Sequence, residues 1–347
     1  MLWRLAAALV LVSCGASHDD RAALSPITIA VDPVSALDGG PRDAAAVVPV
    51  DAAIDEYTPV ADGWRGPRDA TGLIGAGGAA VTGTPETIVL VHSAAIRVDA
   101  RREPLRQILL GALPGWNTFM PYDVVDPIVD VDWVLMAGSL VLGTTASNVF
   151  IAHYNLSEAR ADSAMATLLK TLPRALVANS FGRGAFTAFI DGADRVYMRP
   201  RPGVLAIVPL ADGKRIAELL AGVDVPADVR PGEILRVVDN GASRIASLGA
   251  PQIQSARYWM TATRGEITMV RAEAECPTES DALAAAASLT LRLRAVGSSM
   301  MTRLLAPWLA RITPRATGTD VRASVGLRED EVSAAAAAIG CRGAACP

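Results

Sequence analysis

The chain reads as an α+β protein on three observations. From about residue 87 onward, short apolar runs suited to strands alternate with stretches whose apolar residues recur at helical spacing. Turn dipeptides such as Asp191-Gly192 and Arg264-Gly265 sit between neighbouring runs and join them as hairpins. Two stretches of the folded part also echo each other.

Ile88 to Val91 is the first apolar run. Pro104 to Ala112 places Leu105, Ile108, Leu109 and Ala112 at helical spacing, with Glu103 and Pro104 at its start. Trp133 to Ala137 and Asn148 to Tyr154 read as strands joined by a Gly/Ser/Thr segment, and Ser157 caps a helix through Leu169. Ala185 to Ile190 and Arg195 to Met198 form a hairpin; Val204 to Val208 is a buried strand, and Asp212 opens a helix ending at Gly222. Tyr258 to Thr263 and Glu266 to Ala272 make a second hairpin. Thr278-Glu279-Ser280-Asp281 starts an Ala/Leu helix, and Met301 to Arg311 is a helical stretch bent or entered at Pro307. Val321, Ala323 and Val325 alternate as a strand before a helix from Glu329 to Ile339.

The echo is carried by Trp133 and Trp259. Each opens a hairpin, followed by a helix beginning Ser157-Glu158 in one case and Thr278-Glu279 in the other. Later in each half come a strand and a helix ending in glycine, Val204 to Gly222 and Val321 to Gly340. A β-β-α … β-α unit used twice, with halves 85–222 and 223–347, is one reading. Chance likeness between alanine-rich segments is the other.

The N-terminus is different in kind. Met1-Leu2-Trp3-Arg4 is a short positive segment, and Leu5 to Val12 is an apolar run far short of the roughly 20 residues a membrane helix needs. The run ends in Leu11-Val12-Ser13-Cys14, which resembles the lipobox of bacterial lipoproteins. The resemblance implies a signal peptide over residues 1–13 and acyl chains, palmitate among them, on Cys14. One acyl chain holds a protein only marginally, whereas two or three make release negligible. Gly15 stands where an Asp would imply inner-membrane retention, so the resemblance implies delivery to the outer membrane, facing the periplasm or the cell surface.

Residues 14–84 read as the lipidated cysteine and a disordered Ala/Asp/Pro tether. Between 15 and 71, ten acidic residues face four arginines, so this stretch carries −6 while the whole chain carries −4. As a coil it reaches on the order of 40 Å. Gly75-Ala76-Gly77-Gly78 superficially fits a dinucleotide fingerprint, but no strand precedes it and Thr84-Pro85 breaks any following helix.

The chain is 51% hydrophobic and 20% charged, too apolar for full disorder and too balanced for a general nucleic-acid binder. Its chemistry is sparse. His92 and His153 belong to no zinc-binding spacing, and no metal or cofactor is expected. Asp123, Asp126, Asp130 and Asp132 form the densest acid cluster of the folded part. Asp130 and Asp132, two apart, share a face if both lie on one strand, as an acid/base pair would. Arg195, Arg199 and Arg201 alternate with Val196 and Met198, which predicts a strand with one cationic face, a candidate site for an anion such as a glycolipid phosphate, or an edge that blocks pairing. Cys341 and Cys346 are placed for a local disulfide; Cys276 with either is the alternative.

The expectation is therefore an exported, lipid-anchored envelope protein whose folded region, residues 85–347, binds or scaffolds without catalysis, with no catalytic residue assigned. Its partners would be the membrane, through Cys14, and an envelope protein or anionic glycolipid, with no nucleic acid. The alternative is an envelope hydrolase using Asp130, Asp132 or His153.

Overall fold

The computed structural model describes residues 87–99, 102–113, 116–138, 148–222, 232–239, 249–262, 268–298 and 306–340. The expected signal peptide, Cys14, the tether, Cys341, Cys346 and the turn at Arg264-Gly265 lie outside the described residues.

The chain opens with β1 (Thr87–Val91), then three helices, α1 (Ser93–Arg97), α2 (Arg102–Ala112) and α3 (Trp116–Phe119). Next come β2 (Val131–Gly138), β3 (Val149–Tyr154) and α4 (Glu158–Thr171). Three strands, β4 (Leu176–Val177), β5 (Phe186–Ile190) and β6 (Ala193–Arg201), lead to β7 (Val204–Pro209) and α5 (Gly213–Gly222). The remainder is β8 (Glu233–Asp239), β9 (Ser255–Ala262), β10 (Thr268–Glu275), α6 (Glu279–Ser298), a 3-10 helix at Pro307–Arg311, β11 (Arg315–Thr317), β12 (Asp320–Leu327) and α7 (Glu329–Gly340). This is the expected α+β architecture. Pro307 enters a single 3-10 helix rather than bending an α-helix; Met301 to Leu305 lie outside the described residues.

The twelve described strands form one antiparallel sheet, in the order β11-β12-β10-β9-β8-β1-β2-β3-β7-β6-β5-β4. At its centre β1 pairs with β8, Val89 opposite Val237. Outward from that pair the order is β1-β2-β3-β7-β6 on one side and β8-β9-β10-β12-β11 on the other. In both directions the third strand leads into a long helix. A hairpin follows whose second strand returns to pair with the third, and then another helix. The first half adds α1 to α3 between its first two strands and β4-β5 at its edge.

Local rules explain many elements. Ser157 accepts a hydrogen bond from the Arg160 N–H and starts α4, and Thr278 Oγ1 accepts from the Asp281 N–H at the start of α6, 3.1 Å away. The β5–β6 turn needs two positive φ angles, which Asp191 (51°) and Gly192 (76°) supply. Alternation sends Val89 and Val91 into the larger apolar cluster with α2, α4, α6 and α7, and Ile88 and Leu90 into a smaller one sealed by Ile216 and Leu220 of α5. α7 does not repeat the placement of α5. Its Val332, Ala335 and Ala336 join the larger cluster, and it packs along α2.

Candidate functional site

The sheet carries its charged and titratable groups in three locations, two of them singled out in the sequence. The first is where β1, β2 and β3 lie side by side. Trp133 and His153 are direct cross-strand partners, but the ladder shifts register between Val131 and Trp133, leaving Asp132 as an extra residue. From that bulge one Asp132 carboxylate oxygen accepts from Arg97 at 2.5 Å, and the other lies 3.1 Å from His153 Nδ1. Arg97 is itself fixed by the carbonyls of Ile128 and Val131. The imidazole of His153 stacks on Trp133, with ring centres 6.0 Å apart. Its Nε2 lies beside the β6–β7 turn, where Gly203 has φ +77° and a Cβ would stand 3.2 Å from that nitrogen. The site is partly open: the His153 side chain is 39% exposed and Asp132 32%.

His92 ends β1 next to this group, its backbone N–H donating to the Ile234 carbonyl. Its Nε2 is buried without a hydrogen-bond partner among the described residues. Burial, then the Arg236 charge, lowers its pKa to about 4, against an opposing pull from Asp132. His92 thus lies within electrostatic reach of Asp132, which in turn contacts His153.

Asp130 does not join them, contrary to the shared-face expectation. It precedes the first residue of β2, and the bulge turns Asp132 away from it. Asp130 accepts from the Asp126 N–H and pairs with Arg160 at 3.1 Å. Asp126 caps the N–H groups of Ile128 and Val129 and pairs with Arg106. Burial would raise its pKa, but Arg106 and the two amides outweigh it and hold the carboxyl below its usual range. Asp123 is exposed. Most of the acid cluster is loop and ion-pair structure.

The second location corrects the cationic stripe. Arg195, Tyr197 and Arg199 do share a face, but it is the helix-covered one. Arg195 is fully buried, donates to the Asn148 carbonyl and lies over the Phe119 ring. Burial lowers its pKa to about 10. Tyr197 stacks on Phe186 in the larger cluster. Arg199 is taken up by Asp162 and Glu158 of α4, and Arg201 is partly buried at the strand end. Cys276 is a buried free thiol, its pKa pushed up to about 11 first by burial and then by neighbouring carboxylates; its alternative partners, Cys341 and Cys346, lie outside the described residues.

The third location escaped sequence reasoning. On the sheet face that α5 covers in the first half, the second half carries charges. Arg236 is locked to Glu233, both side chains 2% exposed. Glu273 is shared by Arg322 at 3.0 Å and Arg257 at 3.9 Å, and Arg322 also reaches Asp320. The only sequence signal was arginine and acid alternating with apolar residues along Thr268–Glu275, and charges at every third position of Glu233–Asp239.

Among the described residues no group of three or more His, Cys, Asp or Glu is arranged to hold a metal, and no helix is long and apolar enough to cross a membrane. No protein-family model, curated protein or solved structure matches the chain.

Proposed function

We propose that the chain is an exported lipoprotein of the cell envelope, held by acyl chains on Cys14 and presenting its α+β region as a binding module. The observation that carries this reading is the order of the first fourteen residues: a positive start, a short apolar run, then Leu11-Val12-Ser13-Cys14. The acid-rich stretch that follows suits a spacer that stands off from lipid headgroups. Gly15 favours the outer membrane as destination, and an envelope protein or anionic glycolipid is the partner. The folded region is read as a duplicated unit. Its support is the matching strand order outward from the β1–β8 pair, together with Trp133 and Trp259 on the second strand of each half and helix caps at Ser157 and Thr278.

The test is fractionation of cells labelled with a palmitate analogue. The wild-type chain carries label and sediments with membranes. Cys14→Ser loses the label and moves to the soluble fraction. A Cys14→Ser chain that still sediments as before refutes lipid anchoring.

A second reading rests on the Asp132–His153 contact. A carboxylate on Nδ1 holds the imidazole in the tautomer whose Nε2 lone pair takes a proton, as a general base acting on water requires. An envelope hydrolase of this kind would turn over activated esters, and His153→Gln would lower the rate on the order of 10²–10⁴-fold. Equal turnover by wild type and His153→Gln removes this reading. Asp130, held by Arg160, has no part in it.

A further inference from the structure

The first half seals the sheet face opposite the long helices with α5. The helix that takes the corresponding place in chain order, α7, packs into the other cluster, and the second half carries on that face a row of arginines set among acids. Three of the four arginines on its inner strands are held. Arg236 is held by Glu233, and Arg257 and Arg322 share Glu273. Arg271 is not. Among the described residues it makes no hydrogen bond and no ion pair, although it is only partly exposed. The nearest acid along its own strand is Glu273, whose carboxylate is already shared between two other guanidiniums.

The neighbours of Arg271 are set by register. Across β9 it faces Trp259, and across β12 it faces Ser324. Trp259 is 5% exposed and forms a dry wall. Ser324 is exposed and its hydroxyl makes no hydrogen bond among the described residues, so the site is reachable from that side. Direct cross-strand neighbours hold their Cβ atoms about 5 Å apart, within reach of a shared ligand. A partly desolvated guanidinium without a counter-charge is costly, and it relaxes when an oxyanion docks on its planar fork.

We propose that Arg271 anchors a binding site for a phosphate group on the open sheet face of the second half. Two guanidinium N–H groups and the Ser324 hydroxyl supply three donors, matching the three free oxygens of a phosphate monoester; a carboxylate has only two. This inference rests on reading the folded region as a binding module and says what that module takes: a phosphorylated envelope ligand such as a glycolipid headgroup. The equivalent cross-strand position in the first half holds His153 beside Trp133, and there Asp132 already supplies the negative charge.

The test is titration of inorganic phosphate into the full chain by calorimetry. Saturable binding is expected. Arg271→Gln weakens it roughly tenfold or more, Arg271→Lys weakens it less because a point charge lacks the fork, and Ser324→Ala weakens it by a smaller factor. Arg183→Gln, at an exposed turn, leaves it unchanged. Thermal melts of each variant separate loss of the site from loss of the fold. Absence of saturable phosphate binding, or equal binding by wild type and Arg271→Gln, overturns the proposal. Acetate binding as tightly as phosphate overturns the choice of ligand. A chain that fractionates with membranes yet ignores phosphate refutes this site and leaves the anchor standing; one that binds phosphate without the anchor does the reverse.

Discussion

The two halves of the sheet run through the same strand order and treat one face in opposite ways. In the first half that face is apolar apart from His153 at its end: Leu135, Ile151, Val196, Met198 and Val208 meet Ile216 and Leu220 of α5. In the second half the face carries Glu233, Arg236, Arg257, Arg271, Glu273 and Arg322. One backbone arrangement therefore accommodates either a helix-sealed apolar layer or a lattice of ion pairs. The difference teaches where function can reside. An apolar layer stabilises by exclusion of water and is complete once covered. Charged pairs contribute little net stability, since desolvation cancels much of their attraction, but they hold directional groups in place.

The largest expected effect comes from breaking the ionic half at its most buried point. Glu233→Ala strips Arg236 of its main partner in a site 2% exposed, and chemical denaturation should show a loss of about 3–5 kcal/mol. Replacing both residues, Glu233→Leu with Arg236→Met, should cost far less, because it makes the second half resemble the first. If the double variant were as unstable as the single, the two faces would not be interchangeable solutions.

A smaller effect concerns the seam between the halves. His92 stays neutral in the folded chain down to about pH 4, whereas the unfolded chain takes up its proton near 6.5. The unfolded state thus binds more protons in that window, and stability falls as pH drops from about 6.5 to 4, by about 1–2 kcal/mol once solvent screening of the partly exposed ring discounts the full shift. The groups facing His92 are Arg236, which opposes protonation, and Asp132, which favours it. His92→Gln should flatten that part of the stability profile. An unchanged slope would place the titration elsewhere.

The smallest effect sharpens the equivalence itself. Ser157→Ala and Thr278→Ala each remove one cap, and each should cost about 1 kcal/mol in thermal unfolding. Similar losses support matching roles for α4 and α6. A loss at one site alone would show that the halves carry their long helices differently.

Much of the first half was legible because its signals are short-range. The run Ile88 to Val91, the Ser157 cap and the Asp191-Gly192 turn each act within a few residues, and all three do in the structure what their local chemistry requires. The strand β8 escaped for a physical reason. Glu233, Arg236 and Asp239 interrupt its apolar run, and a charged residue ordinarily marks an exposed position; here all seven residues are buried and Arg236 and Glu233 neutralise each other. The Asp130/Asp132 pair misled because spacing of two implies a shared face only inside a regular strand, and the bulge before Trp133 breaks that regularity. The stripe at Arg195 was right in periodicity and wrong in exposure. Alternation says which residues share a face and nothing about what covers it.

The sequence by itself determined most of the segments that become helix or strand, where several begin and turn, and that Trp133 and Trp259 each lie on a strand paired with the next. These follow from backbone sterics, caps and apolar period, which operate over a handful of residues. Only the tertiary structure decided that β1 and β8 join the halves, that Asp132 turns to His153 rather than to Asp130, and that Arg271 is left without an acid among the described residues. Those outcomes depend on partners far apart in the chain, as Glu273 and Arg322 are, and local preference carries no information about which distant charge will arrive.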